Sequence, residues 1–104
     1  MLSNSACLSN EQVENIRNYV KQGGTLIATH QTSTMDELGQ RRDNFALADV
    51  LGLDYTGPHQ TGPGDGVVYV PQGKVAQETG YQLLPFYGIE STVEIRDDAD
   101  IEVL

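Results

Sequence analysis

The stretch Thr25-Leu26-Ile27-Ala28-Thr29-His30-Gln31 decides the fold, because a short apolar run opens there into a polar loop. Thr25–Thr29 is apolar on both faces and follows Gly23-Gly24, which predicts a parallel strand covered by helices on both sides. Open α/β sheets carry their sites at the carboxyl ends of strands. The loop His30–Glu37 is therefore the first place to expect a functional site.

A helix over residues 10–22 is predicted upstream of this strand. Its start carries an N-cap, a capping-box partner and the two positions of a hydrophobic staple, which are Ser9, Gln12, Leu8 and Val13. Gly23-Gly24 is expected to end the helix, because glycine accepts the left-handed conformation of a C-terminal cap. The strand Thr25–Thr29 then follows at once.

Further elements are predicted downstream. We expect a second helix from Asp43 to Leu51, capped by Asp43 and stopped by Gly52. Residues 57–66 hold four Gly and two Pro and are expected to form an irregular loop. The remaining predictions are a strand at Val67–Val70, a packed loop or edge segment at Leu83–Tyr87, and two closing strands at Thr92–Arg96 and Ile101–Leu104 around an Asp-rich turn.

The start of the chain predicts an incomplete domain. A β-α-β unit needs a strand before its helix. Only seven residues precede Leu8, and they do not have the pattern of a strand. We therefore expect residues 1–104 to form one partial α/β domain that lacks its N-terminal strands.

Composition excludes several classes of partner. Six basic against 15 acidic residues give a net charge of -9, which argues against nucleic acid and anionic membrane surfaces. No apolar run approaches the length of about 20 residues that a membrane helix needs. The single cysteine, Cys7, excludes an internal disulfide framework and favours a reducing, cytoplasmic location.

Catalytic residues are open to two interpretations. Cys7 lies just before a helix N-terminus, where the helix dipole favours thiolate, and His30 or His59 would be its base. His30 with the acid Asp36 is another pairing. No cysteine-protease signature surrounds Cys7, and a histidine hydrogen-bonded into its own loop is the structural alternative for His30.

The candidate binding residues all lie in the loop after the strand. They are His30, Gln31, Thr32, Ser33, Asp36 and Glu37. The hydroxyls of Thr32, Ser33 and Thr34 have a structural alternative as caps of the loop. His30, Asp36, Glu37 and His59 include the side-chain types that bind metals, but no ligand spacing connects them. We expect no metal and no cofactor.

Three quoted runs carry a resemblance to a known family. They are Asn4-x-x-Cys7-Leu8-Ser9-x-Glu11-Gln12, Ile16-Arg17-x-Tyr19-Val20-x-x-Gly23-Gly24-x-Leu26-Ile27-Ala28-Thr29, and Thr32-Ser33-x-x-Asp36-x-x-Gly39-x-x-Arg42-x-x-Phe45-x-Leu47-Ala48-Asp49-x-x-Gly52. Together they resemble the glutamine-amidotransferase-like domain of bacterial glycoside hydrolases, of the β-galactosidase trimerisation type. The likeness covers residues 2–54, is loose over 93–104 and does not extend to 57–86.

This resemblance implies a flavodoxin-like, class I glutamine-amidotransferase-like three-layer α/β fold. Such a domain follows a catalytic barrel and mediates subunit contact. Active amidotransferases carry a nucleophilic cysteine on the elbow after the strand that matches Thr25–Thr29. Here the chain reads Thr29-His30-Gln31, and Cys7 lies elsewhere, so the resemblance implies that amidotransferase chemistry is absent. The active-site carboxylates of β-galactosidases belong to the barrel.

The function predicted from these residues is assembly rather than catalysis. The expected partners are a second copy of the chain or a catalytic barrel domain, with carbohydrate as a further ligand shaped by the His30–Glu37 loop. The parent protein would be a glycoside hydrolase. The alternative is a small hydrolase that uses His30 with Cys7 or Asp36.

Overall fold

The described residues form both helices and strands, which confirms the expected mixture of α and β structure. The computed structural model describes residues 1–60, 67–70, 73–80, 83–86 and 89–101. The strands in these residues are β1 (Leu2–Ser3), β2 (Ala28–Thr29), β3 (Leu53–Gln60), β4 (Val67–Tyr69), β5 (Leu84–Phe86) and β6 (Ile89–Ile95), and the helices are α1 (Asn10–Lys21), α2 (Ala48–Leu51) and α3 (Gly73–Thr79). None of these described helices is long and apolar enough to cross a membrane.

Helix α1 begins and ends where the sequence predicts. Ser9 Oγ accepts from the Gln12 amide at 3.2 Å, and the Gln12 side chain accepts from the Ser9 amide at 2.9 Å. At the other end Gly23 has a φ of 93°. The amides of Gly23 and Gly24 donate back to carbonyls of the last turn at 2.9 and 3.0 Å. This closure satisfies carbonyls that a helix end otherwise leaves without partners.

A strand precedes α1, so the expectation that the first seven residues hold none is wrong. β1 pairs with β2 in parallel, with Leu2 opposite Ala28 and Ser3 opposite Thr29. The elements β1, α1 and β2 therefore form a β-α-β unit. Two residues are too few to show the alternation by which strands are detected in sequence, and only the pairing partner reveals this one.

The central strand is shorter than predicted. Of Thr25–Thr29, only Ala28–Thr29 pair in a sheet, although the Ile27 carbonyl also accepts from the Leu2 amide at 2.7 Å. Ile27 is 56% exposed. The prediction that helices cover this strand on both faces is therefore wrong at Ile27.

Helix α2 is also shorter than predicted. It starts at Ala48, and its N-cap, Leu47, has no side-chain cap, so the helix predicted over residues 43–47 and the cap at Asp43 are wrong. Instead Asn44 Oδ1 accepts from the Tyr55 amide at 2.8 Å. This contact pins the segment to β3, because a tertiary partner takes the place of the first helical turn. Gly52 ends the helix in the left-handed conformation, as predicted.

The antiparallel strands fall partly where turn residues predicted a loop. β3 pairs with β6 through Gln60, so the irregular loop expected over 57–66 is wrong for residues 57–60, and residues 61–66 lie outside the described part. The strand register shifts between Tyr55 and Gly57, which lets the Gly-Pro run stay in a strand.

The second half confirms some predictions and adds an element. β4 and β6 confirm the strands predicted at 67–70 and 92–96, although β6 starts earlier, at Ile89. β5 lies within the segment Leu83–Tyr87, which was predicted as a packed loop or edge segment, and it pairs with β4. Helix α3 was not predicted. Ile101 lies in no strand, and residues 102–104 of the last predicted strand lie outside the described part.

The core of the described residues lies between α1 and α2. Its buried centre is Leu8, Val13 and Leu47, which confirms the staple positions at the start of α1. Partly buried apolar side chains pack around this centre, and they are Leu2, Ile16, Leu26, Ala46, Val50 and Leu51. Burying such side chains is the dominant favourable term in folding.

One ion pair ties α1 to α2. Arg17 Nε lies 2.9 Å from Asp49 Oδ2, and Arg17 Nη2 lies 2.9 Å from Asp49 Oδ1 and 2.7 Å from the Ala46 carbonyl. The hydrogen bonds from Arg17 hold the pKa of Asp49 below its ordinary value of 3.8. The same bonds raise the pKa of Arg17. Each carboxylate oxygen of Asp49 accepts a hydrogen bond from Arg17. This bidentate geometry is the stronger form of a carboxylate–guanidinium pair.

Substitution of Asp49 is expected to make stability less dependent on pH. A carboxyl with a lowered pKa in the folded state stabilises the fold above its unfolded pKa, and this contribution is lost as the pH falls through the folded-state pKa. The Asp49 side chain is 53% exposed, so Asp49→Asn should cost less than about 1 kcal/mol near pH 7. Urea unfolding should show this difference shrinking toward about pH 3.

Asp43→Asn is the matched control, because Asp43 is exposed and has no ion pair among the described residues. Its unfolding free energy should differ little from that of the unsubstituted chain at both pH values. An Asp49→Asn difference that stays constant between the two conditions would contradict the assignment.

Candidate functional site

The candidate site lies where β1 and β2 end side by side. Because the two strands are parallel, their carboxyl ends meet at one edge. Asn4 follows β1 with a φ of 49°, and His30 follows β2 with a φ of 54°. Positive φ is uncommon outside glycine but is enriched in Asn and His. The segments after β1 and β2 therefore both turn sharply at the same edge.

Asn4 joins the two turns to each other. Its amide donates to Thr29 Oγ1 at 3.1 Å, and its Oδ1 accepts from the Gln31 amide at 3.3 Å. Sequence reasoning missed this residue. The available signal was the residue type itself, since Asn tolerates the left-handed conformation and bonds neighbouring backbone.

The hydroxyl groups of the loop point inward. Thr32, Ser33 and Thr34 are at most 1% exposed. Thr32 Oγ1 lies 2.8 Å from the Thr29 carbonyl and 3.2 Å from the Leu2 carbonyl, and Thr34 Oγ1 donates to the Gln31 carbonyl at 2.8 Å. Thr32 and Ser33, which the sequence proposed as binding residues, thus have buried side chains that serve the loop itself.

Ser33 connects three segments of the chain. Its amide donates to the Ser5 carbonyl at 2.9 Å, and its carbonyl accepts from the Ala46 amide at 3.0 Å. Its Oγ accepts from the Leu47 amide at 3.4 Å. Ser33 also has a φ of 65°. These bonds hold the loop between the N-terminal segment and the start of α2.

Asp36 closes the turn that follows. Its Oδ1 accepts from the amides of Leu38 and Gln40 at 2.9 and 2.8 Å. A short polar side chain that bonds the backbone a few residues on is a common way to stabilise a turn. Asp36 therefore has one carboxylate oxygen committed to its own loop.

The arginines after the loop bond neutral groups. Arg42 Nη2 donates to the Leu8 carbonyl and to Asn10 Oδ1, both at 3.0 Å. Arg41 Nη2 donates to the Tyr55 hydroxyl at 2.6 Å. Neither arginine forms an ion pair with Asp36 or Glu37 among the described residues. Exposed pairs of this kind stabilise little, so packing and backbone contacts decide the geometry.

The other proposed binding residues, apart from Asp36, are less buried than the hydroxyls. His30 and Glu37 are exposed, and Gln31 is half-buried. They lie on a loop whose buried hydroxyls are engaged in the bonds above. The exposed edge of the site is therefore narrower than the His30–Glu37 run proposed from sequence.

The alternative catalytic residues are not joined by hydrogen bonds in the described structure. Cys7 is exposed and free, and its neighbours bond Met35 through the backbone, with the Leu8 amide donating to the Met35 carbonyl at 3.1 Å. No described hydrogen bond links His30 to Cys7 or to Asp36. The backbone of His59 lies in β3, opposite Glu90. The described residues hold no group of three or more metal-binding side chains.

Comparison with known proteins adds no relative to this picture. No protein-family model matches the sequence, no curated protein matches it, and no solved structure matches the chain.

Proposed function

We propose that the chain is a non-catalytic, flavodoxin-like amidotransferase-type domain of a β-galactosidase-like glycoside hydrolase, and that it acts in assembly. Its partner is a catalytic barrel domain, contacted through His30, Gln31 and Glu37. The observation that carries the proposal is the division of the loop: its hydroxyls are buried, while His30 and Glu37 are exposed and Gln31 is half-buried at the carboxyl-end edge of β1 and β2.

Rigidity supports a contact role for this loop. Asn4, Ser33 and Asp36 bond the backbone on both sides of the turn. Binding through a loop that is already ordered avoids much of the entropy cost of fixing it, which leaves side-chain ordering of about 0.5–1.5 kcal/mol per residue. Loops held by strand ends often carry recognition for this reason.

The chemistry of the three side chains suits polar partners. An imidazole, an amide and a carboxylate supply both donors and acceptors. The same groups would bond the hydroxyls of a sugar bound between this domain and the barrel. The proposal therefore includes carbohydrate as a ligand that the loop helps to position.

Binding calorimetry tests the contact. The full chain is titrated with a purified β-galactosidase catalytic barrel that lacks its own amidotransferase-like domain. His30→Asn is chosen because Asn also tolerates positive φ. His30→Asn and Glu37→Ala should each raise the Kd about tenfold, as truncation of central contact residues does. Glu78→Ala, on an exposed position of α3, is the control and should bind as the unsubstituted chain does.

The outcomes separate the partner from the sugar. Absence of barrel binding, or loop variants that bind with unchanged Kd, would overturn the assembly role. Nuclear magnetic resonance titration with galactose tests the ligand, because shifts at His30, Gln31 and Glu37 are expected when the sugar binds at the loop. Shifts elsewhere alone would remove carbohydrate from the proposal.

A further inference from the structure

The β3–β6 pair has one protected edge and one open edge. On the β3 side, Pro58 has no amide hydrogen to donate, and the register shift between Tyr55 and Gly57 interrupts the strand. Proline and bulges at an edge discourage pairing with another strand. β6 is a run of seven residues without proline. Within the described residues it pairs with β3 alone, and no other described strand lies on its outer edge.

The register determines which backbone groups of β6 point outward. The Arg96 amide donates to the Gly52 carbonyl at 3.0 Å, on the β3 side. Groups alternate in direction along an antiparallel strand. The amides and carbonyls of Ser91, Val93 and Ile95 are therefore on the outer edge. The register shift falls on the β3 side, because Thr92 and Val93 remain consecutive in the pairing.

We propose that this edge binds β6 of a second copy of the chain, antiparallel and across a two-fold axis at Val93, to form a continuous four-stranded sheet. A two-stranded sheet is of marginal stability in water, and additional strands stabilise it. Val93 and Ile95 are 42% and 51% exposed, and pairing brings both against the second copy. The contact is isologous, since the same surface is used by both copies.

Charge pairing favours this strand register over the two registers that are shifted by two residues. With Val93 opposite Val93, Arg96 of each copy lies opposite the acidic position 90 of the other, and Glu94 lies opposite Thr92. A shift by two residues in one direction places position 94 opposite position 90, both acidic, and in the other direction places Glu94 opposite itself. Opposite charges across a strand pair stabilise it and like charges destabilise it.

Arg96 has donors left for this contact. Its Nη1 donates to Asp54 Oδ1 at 3.0 Å and its Nε to Asp98 Oδ1 at 3.5 Å. Nη2 forms no hydrogen bond among the described residues, and a guanidinium has five donors in all. A third carboxylate can therefore be bound without breaking the pair with Asp54. The interface is separate from the His30–Glu37 loop.

Sedimentation of the full chain tests the interface. The unsubstituted chain is expected to dimerise with a Kd below about 1 mM. Val93→Lys places two ammonium groups opposite each other at the two-fold axis, and Val93→Asp places two carboxylates there. Each variant alone should dimerise at least about tenfold more weakly, because like charges face each other. An equimolar mixture of the two should recover the dimer through an opposite-charge pair.

Val70→Lys is the matched control, since Val70 is 63% exposed and lies outside β6. It should dimerise as the unsubstituted chain does. The proposal is overturned by a chain that stays monomeric, by a dimer that Val93→Lys leaves intact, or by a mixture that does not recover association. A monomer would leave barrel binding through the loop unaffected, so the two proposals fail separately.

Discussion

Leu47→Ala is expected to lower the free energy of unfolding by about 2–5 kcal/mol. Leu47 is 0% exposed and packs with Leu8 and Val13 in the buried centre. Its truncation removes buried apolar area and leaves a cavity between α1 and α2. Domains are stable by only about 5–15 kcal/mol, so the variant should lose a large share of its stability.

Urea unfolding followed by far-ultraviolet circular dichroism measures this effect. Leu38→Ala is the control, because Leu38 is 77% exposed, and it should change stability by less than about 0.5 kcal/mol. If both substitutions cost the same, Leu47 would not belong to a core with Leu8 and Val13.

Gly52→Ala is the second large effect, with an expected cost of about 2–4 kcal/mol from backbone strain and steric overlap. Gly52 has a φ of +67°, and a Cβ there would lie 2.8 Å from the Ala99 Cβ and 2.9 Å from the Ile101 Cδ1. Both the left-handed conformation and the approach of the segment after β6 therefore require glycine.

Gly39→Ala separates the two causes. Gly39 has a φ of +77° but no atom within 4 Å of the position of a Cβ, so its substitution should cost about 1 kcal/mol from backbone strain alone. The same urea titrations give both values. Equal costs at Gly52 and Gly39 would mean that the segment at Ala99 and Ile101 does not press on the end of α2.

Local signals predicted α1 well. The Ser9–Gln12 capping box, the staple positions and the Gly23-Gly24 end all depend on residues within a few positions of one another. Such contacts form wherever the segment is helical, so they can be read without knowledge of the rest of the chain. The Gly52 stop of α2 is confirmed for the same reason.

Non-local contacts decided the elements that were predicted wrongly. β1 is defined by pairing with β2 across α1, and the start of α2 is displaced by bonds from Asn44 to β3 and from Ala46 to Ser33. Residues 57–60 stay in β3 because β6 pairs with them despite their glycine and proline. Propensity is a weak guide where a tertiary partner supplies the hydrogen bonds.

In the candidate site, too, local sequence signals determined some features and non-local contacts decided the others. By itself the sequence determined that a polar loop follows β2 and that His30, Gln31 and Glu37 belong to it, because hydrophobic periodicity marks where a strand ends. Only the tertiary structure decided which side chains of that loop face solvent. Thr32 and Ser33 are as polar as their neighbours, yet they are buried because carbonyls and amides from Leu2 and Leu47 lie beside them. A hydroxyl is buried or exposed according to the partners that other segments bring to it, and those segments are distant in the chain.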